Sequence, residues 1–322
     1  MLRLQRSIKE HCPFFCLYAG TAAGMVRAPM NVSHLQFVTH IRKLNLSRNH
    51  NEFLEVWGLC ALSNDVLLLA CGSLGLRAYS MNSSQLSPHE IVAIGDVRGV
   101  AFDPRTDTLL LLVPESTTEK WQLVSLRGNP SNWLELMRVT IDMNVTNPYR
   151  PIIAVCNSHV LVVKLLQGDR LYVYNVSAEH SVRSAGIVPL KQPNWSGLAC
   201  KSIGDDTYVA LSHYVTSLVT LHRLVWPSPT RPSLDPLANN TIHNPYWLLF
   251  LDDVLLVCSW NSTILSDAIV SIRASDGALS EKRVLLTAAA EPRIASLAWT
   301  LARNRLVISD LHSGDLLIYS FV

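Results

Sequence analysis

A short opening recurs along this chain of 322 residues. A small residue, an aliphatic and another small residue follow one another in Trp57-Gly58-Leu59-Cys60-Ala61, Arg98-Gly99-Val100-Ala101, Ser196-Gly197-Leu198-Ala199 and Ala295-Ser296-Leu297-Ala298. Aligned on it, Gly58, Gly99, Pro151, Gly197, Leu248 and Ser296 mark successive starts, spaced by 41, 52, 46, 51 and 48 residues. Self-similarity on this scale constrains a fold strongly. Each repeat must be one small unit whose apolar faces are covered by its neighbours.

The text between the starts is β-rich. Apolar runs of Val, Leu, Ile and Tyr alternate with clusters of Pro, Gly, Asn, Asp and Ser, the punctuation of short strands and turns. No segment sustains a helical period, which a parallel α/β fold would need between its strands. The second run of each repeat is almost continuously apolar, as in Leu67-Leu68-Leu69 and Val254–Val257. A strand buried on both faces reads that way. Small residues in the first run suit a crowded innermost position. Four strands per repeat of this length match a propeller blade. The expectation is an all-β propeller of six four-stranded blades, with seven as the alternative.

The last repeat offers only three strands, so closure calls for a strand from the other end; Leu35–Leu46 fits. Residues 1–34 are read as an amino-terminal extension, either a partial blade or a weak signal segment, and 35–322 as the propeller. A Pro-rich stretch near 225–245 (Pro227, Pro229, Pro232, Pro236 and Pro245) reads as an inserted loop, because proline cannot donate to a ladder.

Two segments carry a family resemblance. Val307-Ile308-Ser309-Asp310-Leu311-His312-Ser313-Gly314-Asp315-Leu316-Leu317-Ile318-Tyr319 looks like the second-to-third strand hairpin of NHL-type and WD-type propellers. Arg98-Gly99-Val100-Ala101-Phe102-Asp103-Pro104 looks like their innermost strand and exit turn. No Trp is followed by Asp, so the resemblance is architectural and implies a fold rather than an activity.

Composition excludes some roles. Charged residues are 16 % of the chain and the net charge is +2. No basic cluster stands out to track a phosphate backbone, so nucleic acid is not the expected partner. No apolar run reaches the length of a transmembrane helix. Seven cysteines are present, most of them inside apolar runs and without a disulfide-like arrangement. Eight N-x-S/T sequons occur, at Asn31, Asn45, Asn82, Asn144, Asn175, Asn194, Asn239 and Asn261, where chance would give roughly three. The cysteine reading favours the cytoplasm; the sequons favour secretion as a glycosylated binding propeller.

Catalytic signatures are sparse. There is no Gly-x-Ser-x-Gly elbow. Ser212-His213 and Ser158-His159 are sequence neighbours, which places their side chains on opposite strand faces. Gly72-Ser73-Leu74-Gly75 joins two strands and opens no helix, so it is not a phosphate loop. By resemblance to lactonase-type propellers, Glu55, Asp96, Asn147 and Asn194 would offer oxygen ligands to an axial divalent cation; the bland alternative is that they begin turns. Residues just before the inner strands lie at one mouth of the ring. They include Trp57, Arg98, Arg150, Trp195, Trp247 and Arg293, and Trp and Arg dominate interface hot spots. The expected function is a non-enzymatic scaffold binding a protein or peptide partner through that mouth, without a cofactor. The alternative is a metal-dependent, lactonase-like hydrolase.

Overall fold

A computed structural model describes residues 37–44 and, apart from stretches in some connections between strands, residues 56–321. All of these belong to the unit Asn31–Val322.

The first described strand, β1 (Phe37–Leu44), stands apart from the six repeats. The first blade is β2 (Gly58–Ala61), β3 (Val66–Ala70), β4 (Leu76–Ser80) and β5 (His89–Val92). The second is β6 (Gly99–Asp103), β7 (Thr108–Glu115), β8 (Lys120–Asn129) and β9 (Asn132–Asn144). The third is β10 (Pro151–Cys156), β11 (His159–Lys164), β12 (Arg170–Val176) and β13 (Val182–Pro189). The fourth is β14 (Trp195–Ile203), β15 (Asp206–His213), β16 (Leu218–Ser228) and β17 (Arg231–Thr241). The fifth is β18 (Pro245–Leu251), β19 (Val254–Asn261), β20 (Ser266–Arg273) and β21 (Ser280–Ala288). The sixth is β22 (Ile294–Thr300), β23 (Arg305–Asp310) and β24 (Leu316–Phe321).

Each blade is an antiparallel meander, and β1 completes the sixth by pairing antiparallel with β24, from Phe37 opposite Phe321 to Leu44 opposite Leu316. Each first strand lies beside the next around the ring, and β22 returns to β2. The described residues therefore form a closed six-bladed propeller. Residues 1–34, expected as a partial blade or a weak signal segment, lie outside the described residues.

The core is a set of layers between blades. Leu67 and Leu69 of β3 pack with Val307, Leu316 and Ile318 of the sixth blade, whereas Leu68 packs with Leu109 and Leu111 of the second. Alternate side chains of one strand thus serve two interfaces, which is why the second strand reads as a continuous apolar run. Leu109 to Leu112 are all fully buried, each worth roughly 1.5–3 kcal/mol. The small-residue opening is explained at the innermost position. A methyl at Gly197 would lie 2.5 Å from Ser212 Oγ and 3.0 Å from the Tyr246 carbonyl oxygen.

Two expectations are corrected. The Pro-rich stretch is no insertion: Arg231–Thr241 forms the outermost strand of the fourth blade and pairs with β16 from Leu218/Thr241 to Ser228/Arg231. An outermost strand has one edge facing solvent, so Pro232 and Pro236 sit where a missing N–H is tolerated. Pro227 lies beyond Leu224, where β16 has already outrun its inner neighbour β15. The second correction concerns cysteine. Cys156 of β10 and Cys200 of β14 form a disulfide with Cα atoms 5.9 Å apart, joining the innermost strands of the third and fourth blades. Partners separated by 44 residues do not announce themselves by local spacing. Cys71 and Cys258 are buried thiols.

Candidate functional site

In an antiparallel meander the connection between the second and third strands returns to the end at which the first strand begins. One mouth of the ring therefore gathers both kinds of connection. Where the linker from the first blade enters the second it holds a cleft of about 930 Å³, lined by Asp96 and Arg98 before β6, by Pro114 and Glu115 at the end of β7, by Thr117 and Glu119 in the connection that follows, and by Gln122 and Arg138 from β8 and β9.

One wall is fixed by a backbone bridge. Gly72 and Val97 exchange N–H···O bonds, both at 2.9 Å. This ties the turn after β3 to the linker carrying Asp96 and Arg98. Gly72 adopts a φ of +58°, and a Cβ there would meet Trp57 Nε1 at 2.9 Å; both the dihedral and the indole demand glycine. Over that corner the Arg98 guanidinium lies 5.5 Å from the centre of the Trp57 ring. Arg98 Nε donates to Asp96 Oδ1 at 3.1 Å, and Nη2 to Oδ2 at 2.8 Å. Both side chains of the pair are 26 % exposed. The pair is thus partly solvated, adds little to stability, and holds the cation over the ring.

The opposite wall is built by the second blade. Arg138 Nε and Nη2 donate to the two oxygens of Glu135 at 3.0 and 2.9 Å, and Nη1 donates to Gln122 Oε1 at 2.7 Å. The hydrogen-bonded Glu135 carboxylate, above all, raises the Arg138 pKa further, so the guanidinium stays charged. Gln122 is buried, so Arg138 is anchored into the blade. Each arginine of the cleft is matched by its own carboxylate, and Glu115 and Glu119 add two further acids to the lining.

The residues expected at the mouth divide. Trp57, Arg98 and Asp96 come together in one corner. Trp195 is buried, edge-on to His213 with ring centroids 5.5 Å apart, in the core layer between the third and fourth blades. Trp247 is partly buried and packs against the same layer. Glu55, Asn147, Arg150, Asn194 and Arg293 lie outside the described residues. Of the four expected metal ligands, only Asp96 is described, and both its oxygens accept from Arg98. Among the described residues no group of three or more His, Cys, Asp or Glu is arranged to hold a metal ion. Ser212 Oγ turns toward Ser196 Oγ at 3.2 Å, while His213 Nδ1 accepts from the Thr216 N–H at 3.1 Å. Reasoning from strand starts missed Gln122, Glu115, Glu119 and Arg138. They sit at the end of the second strand, in the connection after it, and on the third and fourth strands, which no motif at the inner strand marks.

No family model matches the chain, and no curated protein matches it. Solved structures do. The WD40 repeats of RRP9 superpose with a TM-score of 0.53 at 12 % identity, covering 92 % of this chain and 99 % of that one. The fold is a six-bladed β-propeller. The propeller domain of Cps50 (Swd1) from Myceliophteria thermophila gives a TM-score of 0.52 at 13 % identity, over 88 % of this chain and 86 % of that one. The PQQ domain of pyranose dehydrogenase from Coprinopsis cinerea gives 0.57 at 13 % identity, over 89 % and 97 %. WD40-titled and PQQ-titled propellers alike resemble the chain at this level, so the likeness concerns architecture. Among the described residues no helix is long and apolar enough to cross a membrane.

Proposed function

We propose that this propeller is a non-enzymatic scaffold that engages a protein or peptide partner through the mouth between its first and second blades. The observation that carries the reading is the Trp57–Arg98–Asp96 corner at the rim of an open cleft. An arginine held over an indole by a bidentate carboxylate is already ordered, so little side-chain entropy is lost when a partner covers it. Trp and Arg are also the side chains on which binding energy concentrates. The carboxylates of Asp96, Glu115 and Glu119 beside only two arginines disfavour a phosphate backbone. No cofactor enters this reading.

The test is co-purification of partners from the native source with the wild-type chain, Arg98→Ala and Arg127→Ala. Arg127 is exposed at the opposite end of β8. Loss of a partner with Arg98→Ala alone, in protein of unchanged thermal stability, supports the mouth. Equal recovery by all three overturns it. Metal analysis of the purified chain tests the hydrolase alternative, because a stoichiometric divalent cation would favour it.

A further inference from the structure

Two observations lie outside the mouth and point in one direction. The first is the excess of sequons, eight where chance gives roughly three. Turn chemistry explains Asn-x-Ser/Thr in loops. It does not explain Asn175 and Asn239, which lie inside β12 and β17, because Asn is depleted in strands. Asn239 and Thr241 are both exposed on the same face of β17, and β17 is the outermost strand of its sheet. The Asn239 side chain therefore sits on the outer rim, apart from the cleft. The sequon beginning at Asn194 differs: its Trp195 and Ser196 are buried, and the Ser196 hydroxyl donates to the Pro245 carbonyl oxygen at 2.6 Å.

The second observation is the Cys156–Cys200 disulfide between neighbouring inner strands. Disulfides form and persist where the surroundings are oxidising, and those are also the compartments in which Asn-linked sugars are added. Cys71 and Cys258, by contrast, are single buried thiols, so the pairing is selective.

We propose that Asn239 is an N-glycan acceptor in a chain that matures in an oxidising compartment, where Cys156 and Cys200 pair. In the transfer, Nδ2 of Asn239 loses one proton and bonds to C1 of an oligosaccharide. The C1–O bond to a lipid diphosphate donor breaks, and the lipid diphosphate leaves. In the pairing, the two thiols lose two protons and two electrons to the disulfide of a thiol oxidoreductase, which becomes a dithiol. Both steps are independent of the binding role of the mouth.

The test produces the full chain in a eukaryotic secretory host behind a cleavable leader, beside the same chain made in a reducing cytosol. Secreted protein is treated with peptide-N-glycosidase in ¹⁸O-water and digested without reduction. The expected results are ¹⁸O-aspartate at position 239, its loss in Thr241→Ala, and a linked peptide containing Cys156 and Cys200. Reoxidation of the cytosolic chain with glutathione disulfide should raise its thermal midpoint. Unlabelled Asn239 in secreted protein, free Cys156 and Cys200, retention of the chain inside the host, or an unchanged midpoint each overturns the proposal.

Discussion

The ammonium of Lys201, on the inner strand of the fourth blade, donates to the carbonyl oxygen of Ala274 in the fifth. It also reaches Asp252 O at 3.4 Å and lies 5.3 Å from the ring centre of Phe250 and 5.9 Å from that of Tyr208. A charge spans the interface at the end of the shaft opposite the cleft, where the apolar layers run out. Lys201→Met keeps the aliphatic stem and removes the donor. It should cost about 1–3 kcal/mol, read as a lower urea midpoint at unchanged slope.

The disulfide acts on the unfolded chain. Closing a loop between Cys156 and Cys200, 44 residues apart, restricts the denatured ensemble and should stabilise by about 4 kcal/mol. Cys156→Ala/Cys200→Ala, or dithiothreitol added to the wild type, should lower the unfolding free energy by that order. Dithiothreitol should leave the double variant unchanged.

Two histidines make stability depend on pH. Burial lowers the pKa of His159 from its ordinary 6.5, against the opposing hydrogen bond that its Nδ1–H donates to Asn175 Oδ1, and Arg105 lowers it further. Burial also lowers the pKa of His222, against the charge of Asp235. Below pH 6.5 the unfolded chain binds protons that the folded chain resists. The stability these groups contribute is therefore complete above that pH and is lost as pH falls through their lowered folded values. Urea unfolding at stepped pH should show this decline, and His222→Gln should flatten it. His159 also packs on Trp226 of the fourth blade, with ring centroids 5.4 Å apart, so its protonation loads the interface between the third and fourth blades.

Gly197 sets how closely the inner strands approach. With Ser212 Oγ 2.5 Å and a backbone carbonyl 3.0 Å from the place a methyl would take, Gly197→Ala should destabilise by roughly 1–3 kcal/mol through overpacking. Thermal denaturation reads this directly. A Gly197→Ala/Ser212→Gly pair should recover only part of the loss, because the Tyr246 carbonyl remains in place.

Much of the ring was legible before any coordinates. The recurrence through Gly58, Gly99 and Gly197 placed the inner strands, and the run Leu67-Leu68-Leu69 marked a strand buried on both faces. The short sixth repeat called for an amino-terminal strand, and Phe37–Leu44 supplies it. The outer strands were less legible. The Pro-rich stretch near 225–245 reads as an inserted loop because proline cannot donate to a ladder, whereas the edge strand Arg231–Thr241 tolerates it.

Periodicity is a property of the chain taken in order, so the repeat length and the alternation of apolar and polar positions specify blades and their stacking without further information. Pairings between blades are different. The Cys156–Cys200 bond, the burial of Trp195 and the packing of Arg98 on Trp57 join residues tens of positions apart. Which of them touch depends on the angle and register at which one sheet packs on the next. Those are set by the summed fit of many side chains across the interfaces, and only the closed ring decides them.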